Sequence, residues 1–118
     1  MDEQELANLQ TQLIDITADR TRAEAAFKSA SSGNINDLLI NDQGSGLADA
    51  LARRAPIEQQ VAELSTTFGP NHPRRKRLQL QLDHLDQQID LTRLAVKDQL
   101  EAEYRSIQTR EEAVRDLL

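Results

Sequence analysis

The chain contains no cysteine and no tryptophan, and its 118 residues include only two phenylalanines and one tyrosine. Without cysteine there is no disulfide, no thiolate metal ligand and no thiol nucleophile. So few aromatic residues leave little of the bulk that fills a compact globular core. The apolar residues that remain are mainly Leu, Ala, Ile and Val, and they favour narrow seams between helices.

Long apolar runs and an excess of positive charge are also missing. No segment approaches the ~20 apolar residues that a membrane span needs, and the acidic start, "MDEQELANLQ", is unlike a signal peptide. The net charge of −6 argues against indiscriminate nucleic-acid binding. Because helical periodicity runs to both ends of the chain, we expect a soluble piece of a larger protein.

Heptad spacing predicts a first helix over about residues 2–31. Asp2 and Glu5 are spaced as a capping box at its start, and Gly33 suits a left-handed C-cap. Arg20 is the one polar residue of the seam, where it sets register or partner, or extends its charge to solvent. The seam consists of Leu6, Leu9, Leu13, Ile16, Arg20, Ala23 and Phe27.

A connector is predicted at 32–46 and a second helix at about 47–68. Within the connector, apolar residues at 35 and 38–40 suggest one short helical turn, and glycines at its end interrupt it. Pro56 predicts a kink or break in the second helix. The stripe of that helix is Leu47, Leu51, Ile57, Val61, Leu64 and Phe68.

The third predicted helix, about 73–118, is the longest. One seam is formed by Leu78, Leu82, Leu85, Ile89, Val96, Leu100, Ile107, Val114 and Leu118; Leu80, Leu91, Leu94 and Ala102 add a flanking stripe. No segment alternates like a strand. The fold class is all-α: an antiparallel three-helix coiled-coil bundle with one long C-terminal helix, running up-down-up with the first and third helices parallel.

A tight turn at 69–72 separates the second and third helices. Gly69 can take the positive φ that closes a helix, and Pro70 cannot continue one. Asn71 or His72 can cap the next helix, and Pro73 suits its first position. The interhelical turn motif, which we name the corner, is Phe68, Gly69, Pro70, Asn71, His72 and Pro73.

Four consecutive basic residues, Arg74, Arg75, Lys76 and Arg77, follow the corner. They occupy the positive end of a helix dipole, where cations are disfavoured, so something should offset them. Carboxylates of the second helix (Glu58, Glu63) or of another subunit are the first candidates. An anionic ligand such as phosphate or an acidic polysaccharide is the next, and nucleic acid is disfavoured because no aromatic side chain is placed for stacking.

No catalytic, metal or cofactor site can be assembled from the sequence. His72 and His84 are too far apart for a helical pair of metal ligands. Glu111 and Glu112 are interpreted as an ordinary solvated helix face, and Tyr104 has no catalytic partner. The chain is therefore expected to be neither an enzyme nor a cofactor carrier.

Three stretches together resemble a known family. They are "LANLQTQLIDITADRTRAEAAF", "QQVAELSTTFGPNHPRRKRLQLQLDHLDQQI" and "EYRSIQTREEAVRDLL". The chain resembles the periplasmic coiled-coil region of bacterial polysaccharide co-polymerases, the chain-length determinants of exopolysaccharide and capsule export, many of them linked to a tyrosine kinase. Their aromatic–Gly–Pro–x–His–Pro turn is matched by the corner residues other than Asn71.

The resemblance implies a periplasmic part of an inner-membrane protein. Such a part would form a homo-oligomer, act with the polysaccharide polymerase and export machinery, and touch the membrane only through flanking segments absent here. A contact of Arg74–Arg77 with acidic polysaccharide stays open as a second interpretation of the basic residues, for which a protein contact is favoured. The family's membrane spans, membrane-proximal α/β domain, phosphate-binding loop and tyrosine-rich tail are not in this sequence, so kinase activity is not assigned to it.

Two alternatives stay open. One is the helical hairpin of a periplasmic efflux or secretion adaptor, which would need two long helices of similar length. The other is a coiled-coil adaptor that binds an acidic partner through Arg74–Arg77. Membrane spans on both sides of this region in the parent gene would favour the co-polymerase, and lipoyl-like β segments would favour the export adaptor.

Overall fold

The computed structural model describes residues 1–33 and 46–118, and the predicted short turn at 35–40 lies outside them. The described residues form three helices and no strand: α1 (Glu3–Ser31), α2 (Leu47–Ser65) and α3 (Pro73–Leu117). They contain 29, 19 and 45 residues. The all-α class and the long C-terminal helix are confirmed.

The ends of α1 follow the sequence signals. Asp2 is the N-cap, and its side chain accepts a hydrogen bond of 2.7 Å from the backbone N–H of Glu5. The acidic residues of the first turn, Glu3 and Glu5, stabilise the positive end of the helix dipole. At the other end Gly33 has a φ of 77°, the left-handed conformation that closes a helix at low cost for glycine.

The second helix is one continuous element through Pro56. Proline removes only its own backbone hydrogen bond to the preceding turn, and the bonds on either side keep the helix intact. The helix ends at Ser65, before the predicted Phe68. The hydroxyls of Ser65 and Thr66 donate to the carbonyls of Ala62 and Glu63 at 2.7 and 2.8 Å, which competes with regular helix bonding at this end.

The chain divides into two units, and the first combines α1 with the part of α3 from Val96 onward. Arg20 contacts Glu111, and Phe27 stacks on Tyr104 with ring centroids 5.9 Å apart. Residue numbers in these contacts rise along α1 and fall along α3, so the two helices are antiparallel. The prediction that the first and third helices are parallel is wrong, because α1 pairs with the far half of α3 in the opposite sense.

The second unit, residues 42–95, contains α2 and the N-terminal half of α3. Arg54 of α2 contacts Asp86 of α3, and the turn at 66–72 joins the two helices, so they form an antiparallel hairpin. The seam residues that are buried in this unit are Leu47, Ala50, Leu82, Leu85 and Ile89. The second and third helices are separate elements, with the break between Ser65 and Pro73.

Each unit is a helix pair, and each half of α3 has a different partner. The long helix offers ~68 Å at 1.5 Å per residue, enough length for two successive partners. The single three-helix bundle stays a prediction. None of the described helices is long and apolar enough to cross a bilayer.

Two glycines next to helix ends allow a matched test of backbone strain. Gly46, the N-cap of α2, has a φ of 84°, whereas Gly69 has no positive φ, and a Cβ would meet nothing within 4 Å at either position. Gly46→Ala is expected to lower the free energy of unfolding by about 1–2 kcal/mol, since a left-handed conformation costs that much for other residues.

Gly69→Ala is the control and is expected to be neutral or stabilising by up to about 1 kcal/mol, because alanine restricts the unfolded chain. Urea denaturation followed by circular dichroism measures both values. Equal losses for the two variants would show that positive φ at Gly46 is not the cause.

Candidate functional site: the corner and the interhelical arginines

The corner is closed by backbone hydrogen bonds. The N–H groups of Thr67 and Phe68 both donate to the carbonyl of Leu64, at 3.1 and 2.8 Å, and the N–H of His72 donates to the carbonyl of Gly69 at 3.1 Å. These short-range bonds reverse the chain between α2 and α3. They satisfy polar groups that the helix end would otherwise leave unpaired.

His72 has two roles in the corner. Its ring stacks on Phe68, with centroids 3.9 Å apart and an angle of 25° between the planes. Its Nδ1 accepts a hydrogen bond of 3.2 Å from the backbone N–H of Arg74, and its carbonyl accepts one from Lys76. His72 therefore caps α3, and Pro73 follows at the first helical position, where a missing N–H costs nothing.

Gly69 differs from the prediction. Positive φ occurs only at Gly33 and Gly46 among the described residues, so Gly69 does not close α2 by a left-handed turn. The closing bonds come instead from Thr67 and Phe68, before the glycine is reached. At Gly69 the chain passes through an exposed segment with room for a side chain.

The four basic residues do not act as one group. The guanidinium of Arg75 donates to the carbonyl of Phe68 at 3.0 Å, so this side chain ties the start of α3 to the end of the preceding segment. Arg74, Lys76 and Arg77 are exposed. Their side chains form no ion pair in the described part of the chain.

The expected carboxylate partners are engaged elsewhere. Glu58 binds Arg54 at 2.6 Å, and Glu63 accepts a long hydrogen bond of 3.4 Å from Gln59. The hypothesis that Glu58 and Glu63 of the same chain neutralise the basic run is therefore wrong. Three positive charges at the start of α3 are left without an ionic partner among the described residues.

Arg20 joins α1 to α3 through Glu111 and also binds a carboxylate of its own helix. Its Nε donates to Glu111 at 2.8 Å, and its Nη1 donates to Glu24, one turn along α1, at 2.7 Å. Glu111 is 4% exposed. The hydrogen bond from Arg20 lowers the pKa of Glu111, and the same bond raises the pKa of Arg20. The pair fixes the position of α1 along α3, because a charge buried here requires its partner.

A second arginine repeats this arrangement in the other unit. Arg54 Nε donates to Asp86 of α3 at 2.6 Å, and its Nη1 donates to Glu58 at 2.6 Å. The hydrogen bond with Asp86 raises the pKa of Arg54. Each short helix thus carries one arginine that binds a carboxylate of α3 and a glutamate four residues onward. Such charge-assisted contacts give geometric specificity.

Sequence reasoning missed three of the four acidic and basic residues in these interhelical contacts. Glu111 was expected to be solvated, yet it lies on the seam between Ile107 and Val114 at 4-3 spacing. Arg54 occupies the corresponding gap in the stripe of α2. A charged residue at a position of the apolar seam is the signal that would have predicted an interhelical contact for both residues. Arg20 was recognised from the sequence by this signal.

The histidine and acidic side chains are the candidate metal ligands of the chain. Among residues 1–33 and 46–118 no group of three His, Asp or Glu side chains could hold a metal ion. The Nε2 of His84 contacts Gln88 at 3.3 Å, and His72 is used as a cap. The arrangement can therefore hold helices in register and present a charged surface.

Comparisons with known proteins add no identification. No family model, curated protein or solved structure matches this chain.

The Arg20–Glu111 contact predicts a specific pH dependence. Because the pKa of Glu111 is lowered below its ordinary value of 4.5, its contribution to stability is present above 4.5 and is lost as the pH falls through the lower folded value. The difference in unfolding free energy between the native chain and Glu111→Gln should therefore be constant from pH 7 to about 5 and shrink below 4.5.

Urea denaturation at pH 7, 5, 4 and 3 measures this difference. Glu112→Gln, which removes the same charge from an exposed neighbour, is the matched control. A Glu111→Gln difference that stays unchanged down to pH 3 would show that this carboxylate contributes no linked protonation.

Proposed function

We propose that this chain is a non-catalytic structural and assembly arm, the periplasmic helical part of a bacterial inner-membrane protein that controls chain length or export of exopolysaccharide or capsule. The corner is the observation that carries the proposal. All of its residues except Asn71 match the aromatic–Gly–Pro–x–His–Pro turn of the polysaccharide co-polymerases, and two of them have a mechanical role together with the neighbouring Arg75. Phe68 and His72 stack, His72 caps α3, and Arg75 ties the two sides together.

A rigid corner suits a scaffold because it fixes the direction in which a helical hairpin continues. The arginine contacts, Arg20 with Glu111 and Arg54 with Asp86, support the same role by fixing the register of each helix pair. In the proposed assembly a helix of a neighbouring copy packs on the α2–α3 hairpin. The antiparallel contact of three helices that the sequence predicts is then formed between copies.

The partners in this proposal are other copies of the chain and the polymerase or export machinery reached through the parent protein. The unequal helices of 29, 19 and 45 residues support it over the hairpin of an export adaptor, which would use two long helices of similar length. A kinase belongs to the proposal only as another domain or partner of the parent protein.

A chromosomal corner variant tests the function. In the bacterium that encodes the chain, Phe68→Ala with His72→Ala should broaden or shorten the length distribution of surface or secreted polysaccharide on gels while the parent protein remains at its normal level. Gly69→Ala, which leaves the stack and the cap in place, is the matched control and should leave the distribution unchanged.

An unchanged polymer in both variants would contradict the proposal. A normal polymer accompanied by loss of drug resistance or of protein secretion would favour the export-adaptor hypothesis instead. Reading the parent gene for membrane spans on both sides of this region is the simplest supporting observation.

A further inference from the structure

The hairpin of α2 and α3 has two exposed faces that match each other. On α3, the side away from the α2 seam carries Leu80, Leu91 and Leu94, which are 68%, 67% and 55% exposed. Successive residues are rotated by about 100° in an α-helix, which places these leucines opposite the buried Leu82, Leu85 and Ile89. Leu91 and Leu94 are one turn apart, and Leu80 lies about three turns earlier on the same side, with His84 and Gln87 between them. Exposed apolar side chains on one side of a helix mark an interaction surface when a matching partner exists.

The basic end of this face lies just beyond Leu80. Lys76 and Arg77 are exposed on the same side of α3 and have no ionic partner among the described residues. Lys76 also borders a shallow depression formed with Pro70, Gln79 and Leu80. We name the set Lys76, Arg77, Leu80, Leu91 and Leu94 the α3 face.

The side of α2 away from α3 has the opposite character. It consists of three alanines, one glutamine and one carboxylate, all exposed: Ala48, Ala52, Ala55, Gln59 and Glu63, which we name the α2 face. Glu63 forms no ion pair within the described residues. The large side chains of the α3 face would meet small ones here, and its positive charges would meet a negative one.

The charged and apolar residues of the two faces also lie at matching positions along the axis of the hairpin. Arg54 contacts Asp86 in the antiparallel pair. Glu63 follows Arg54 by nine residues and Arg77 precedes Asp86 by nine, so the two charges lie level. By the same count Ala48 lies level with residue 92, next to Leu91. Because the faces point to opposite sides, Glu63 cannot neutralise Arg77 of its own chain.

We propose that a second copy of the chain covers the α3 face, with neighbouring hairpins side by side and parallel. Lys76 and Arg77 of one copy then meet Glu63 of the next, and the leucines of the α3 face pack on the alanines of the α2 face. The two surfaces differ, so the contact is heterologous and propagates into a ring or an open array. This inference rests on the assembly role proposed above, and it does not depend on which polymer that assembly serves.

Charge reversal on each face gives a decisive test. Lys76→Glu with Arg77→Glu reverses the α3 face, and Glu63→Lys reverses the α2 face. In either variant alone, like charges meet at every contact, so self-association should weaken by roughly tenfold or more. In an equimolar mixture, each α3 face finds a complementary α2 face on the other variant, and association should return to the native level.

Sedimentation velocity of the full chain at low and high salt measures these states, and circular dichroism checks that each variant is folded. A native chain that stays monomeric at millimolar concentration, variants that associate as the native chain does, or a mixture that stays monomeric would each overturn the proposal. Saturable binding of an acidic polysaccharide to the native chain would also overturn the proposal if that binding is lost in the Lys76→Glu, Arg77→Glu variant and retained in Glu63→Lys. If the charge-reversal test fails while the corner variants still alter polymer length, this interface is rejected and the proposed function is retained.

Discussion

Replacing Arg20 with methionine is expected to destabilise the chain more than any other removal of a single positive charge. Glu111, which is 4% exposed, would keep its own charge and lose its closest donor, at 2.8 Å. Glu111 would keep a side-chain hydrogen bond with Thr17, which carries no charge, and Arg115 at 3.7 Å is too far away to donate in place of Arg20. A charge left in a buried position without its partner is strongly unfavourable, because it has lost solvent as well.

Replacing both partners is expected to recover most of that loss. Arg20→Met with Glu111→Leu removes the two charges together and leaves an apolar seam at both positions, which often matches or exceeds a buried ion pair in stability. Urea denaturation of the native chain, both single variants and the double variant gives the coupling energy of the pair. Arg22→Met is the control, since Arg22 is exposed and its ion pair within the described residues is the one with Asp19 at 3.3 Å on the same helix.

Losses in the two single variants that simply add in the double variant would contradict this interpretation. A second consequence concerns register rather than stability. If the pair selects the position of α1 on α3, the double variant should be stable and yet show broader amide resonances in NMR, because heptad seams without a polar residue permit slippage.

The ends and types of the helices could be predicted largely from local signals. Asp2 and Gly33 act within one turn of the chain, and their backbone bonds depend on neighbours only a few residues away. The break at the corner is equally local, since Pro70 and Pro73 restrict the backbone wherever they occur. Such features require no knowledge of what packs against the helix.

The pairing of helices could not be predicted in the same way. Up-down-up topology assumes that three helices share one bundle, whereas α3 is long enough for α1 and α2 to use separate halves of it. The seam pattern is the same in either case, because an apolar stripe does not say which helix covers it. Only the charged seam residues distinguish partners, and of these Arg20 was considered without its acceptor Glu111.

The corner shows the same limit on a smaller scale. The sequence supplied a local reason for each residue from Phe68 to Pro73, yet it could not show that His72 both stacks and caps. It also could not separate Arg75 from its basic neighbours. That separation depends on the carbonyl of Phe68, seven residues earlier, which the turn brings within 3.0 Å of the guanidinium.

Replacing Ile89 with alanine is expected to lower the free energy of unfolding by about 2–5 kcal/mol, the range for deleting a large aliphatic side chain from a packed core. Ile89 is 5% exposed and lies on the seam between α2 and α3, beside the buried Leu82 and Leu85. Because a helix pair buries few side chains, each buried side chain contributes a large fraction of the free energy of unfolding. Thermal and urea unfolding followed by circular dichroism measure the effect.

Leu91→Ala is the matched control, two residues away on the same helix and 67% exposed. Its loss of stability in the isolated chain should be within about 0.5 kcal/mol, since little apolar surface is uncovered. The same substitution should weaken self-association, because Leu91 belongs to the α3 face that a second copy is proposed to cover. Sedimentation of both variants therefore separates folding from assembly: Ile89→Ala unfolds first, whereas Leu91→Ala dissociates while remaining helical. A Leu91→Ala chain that associates as strongly as the native one would remove this leucine from the interface.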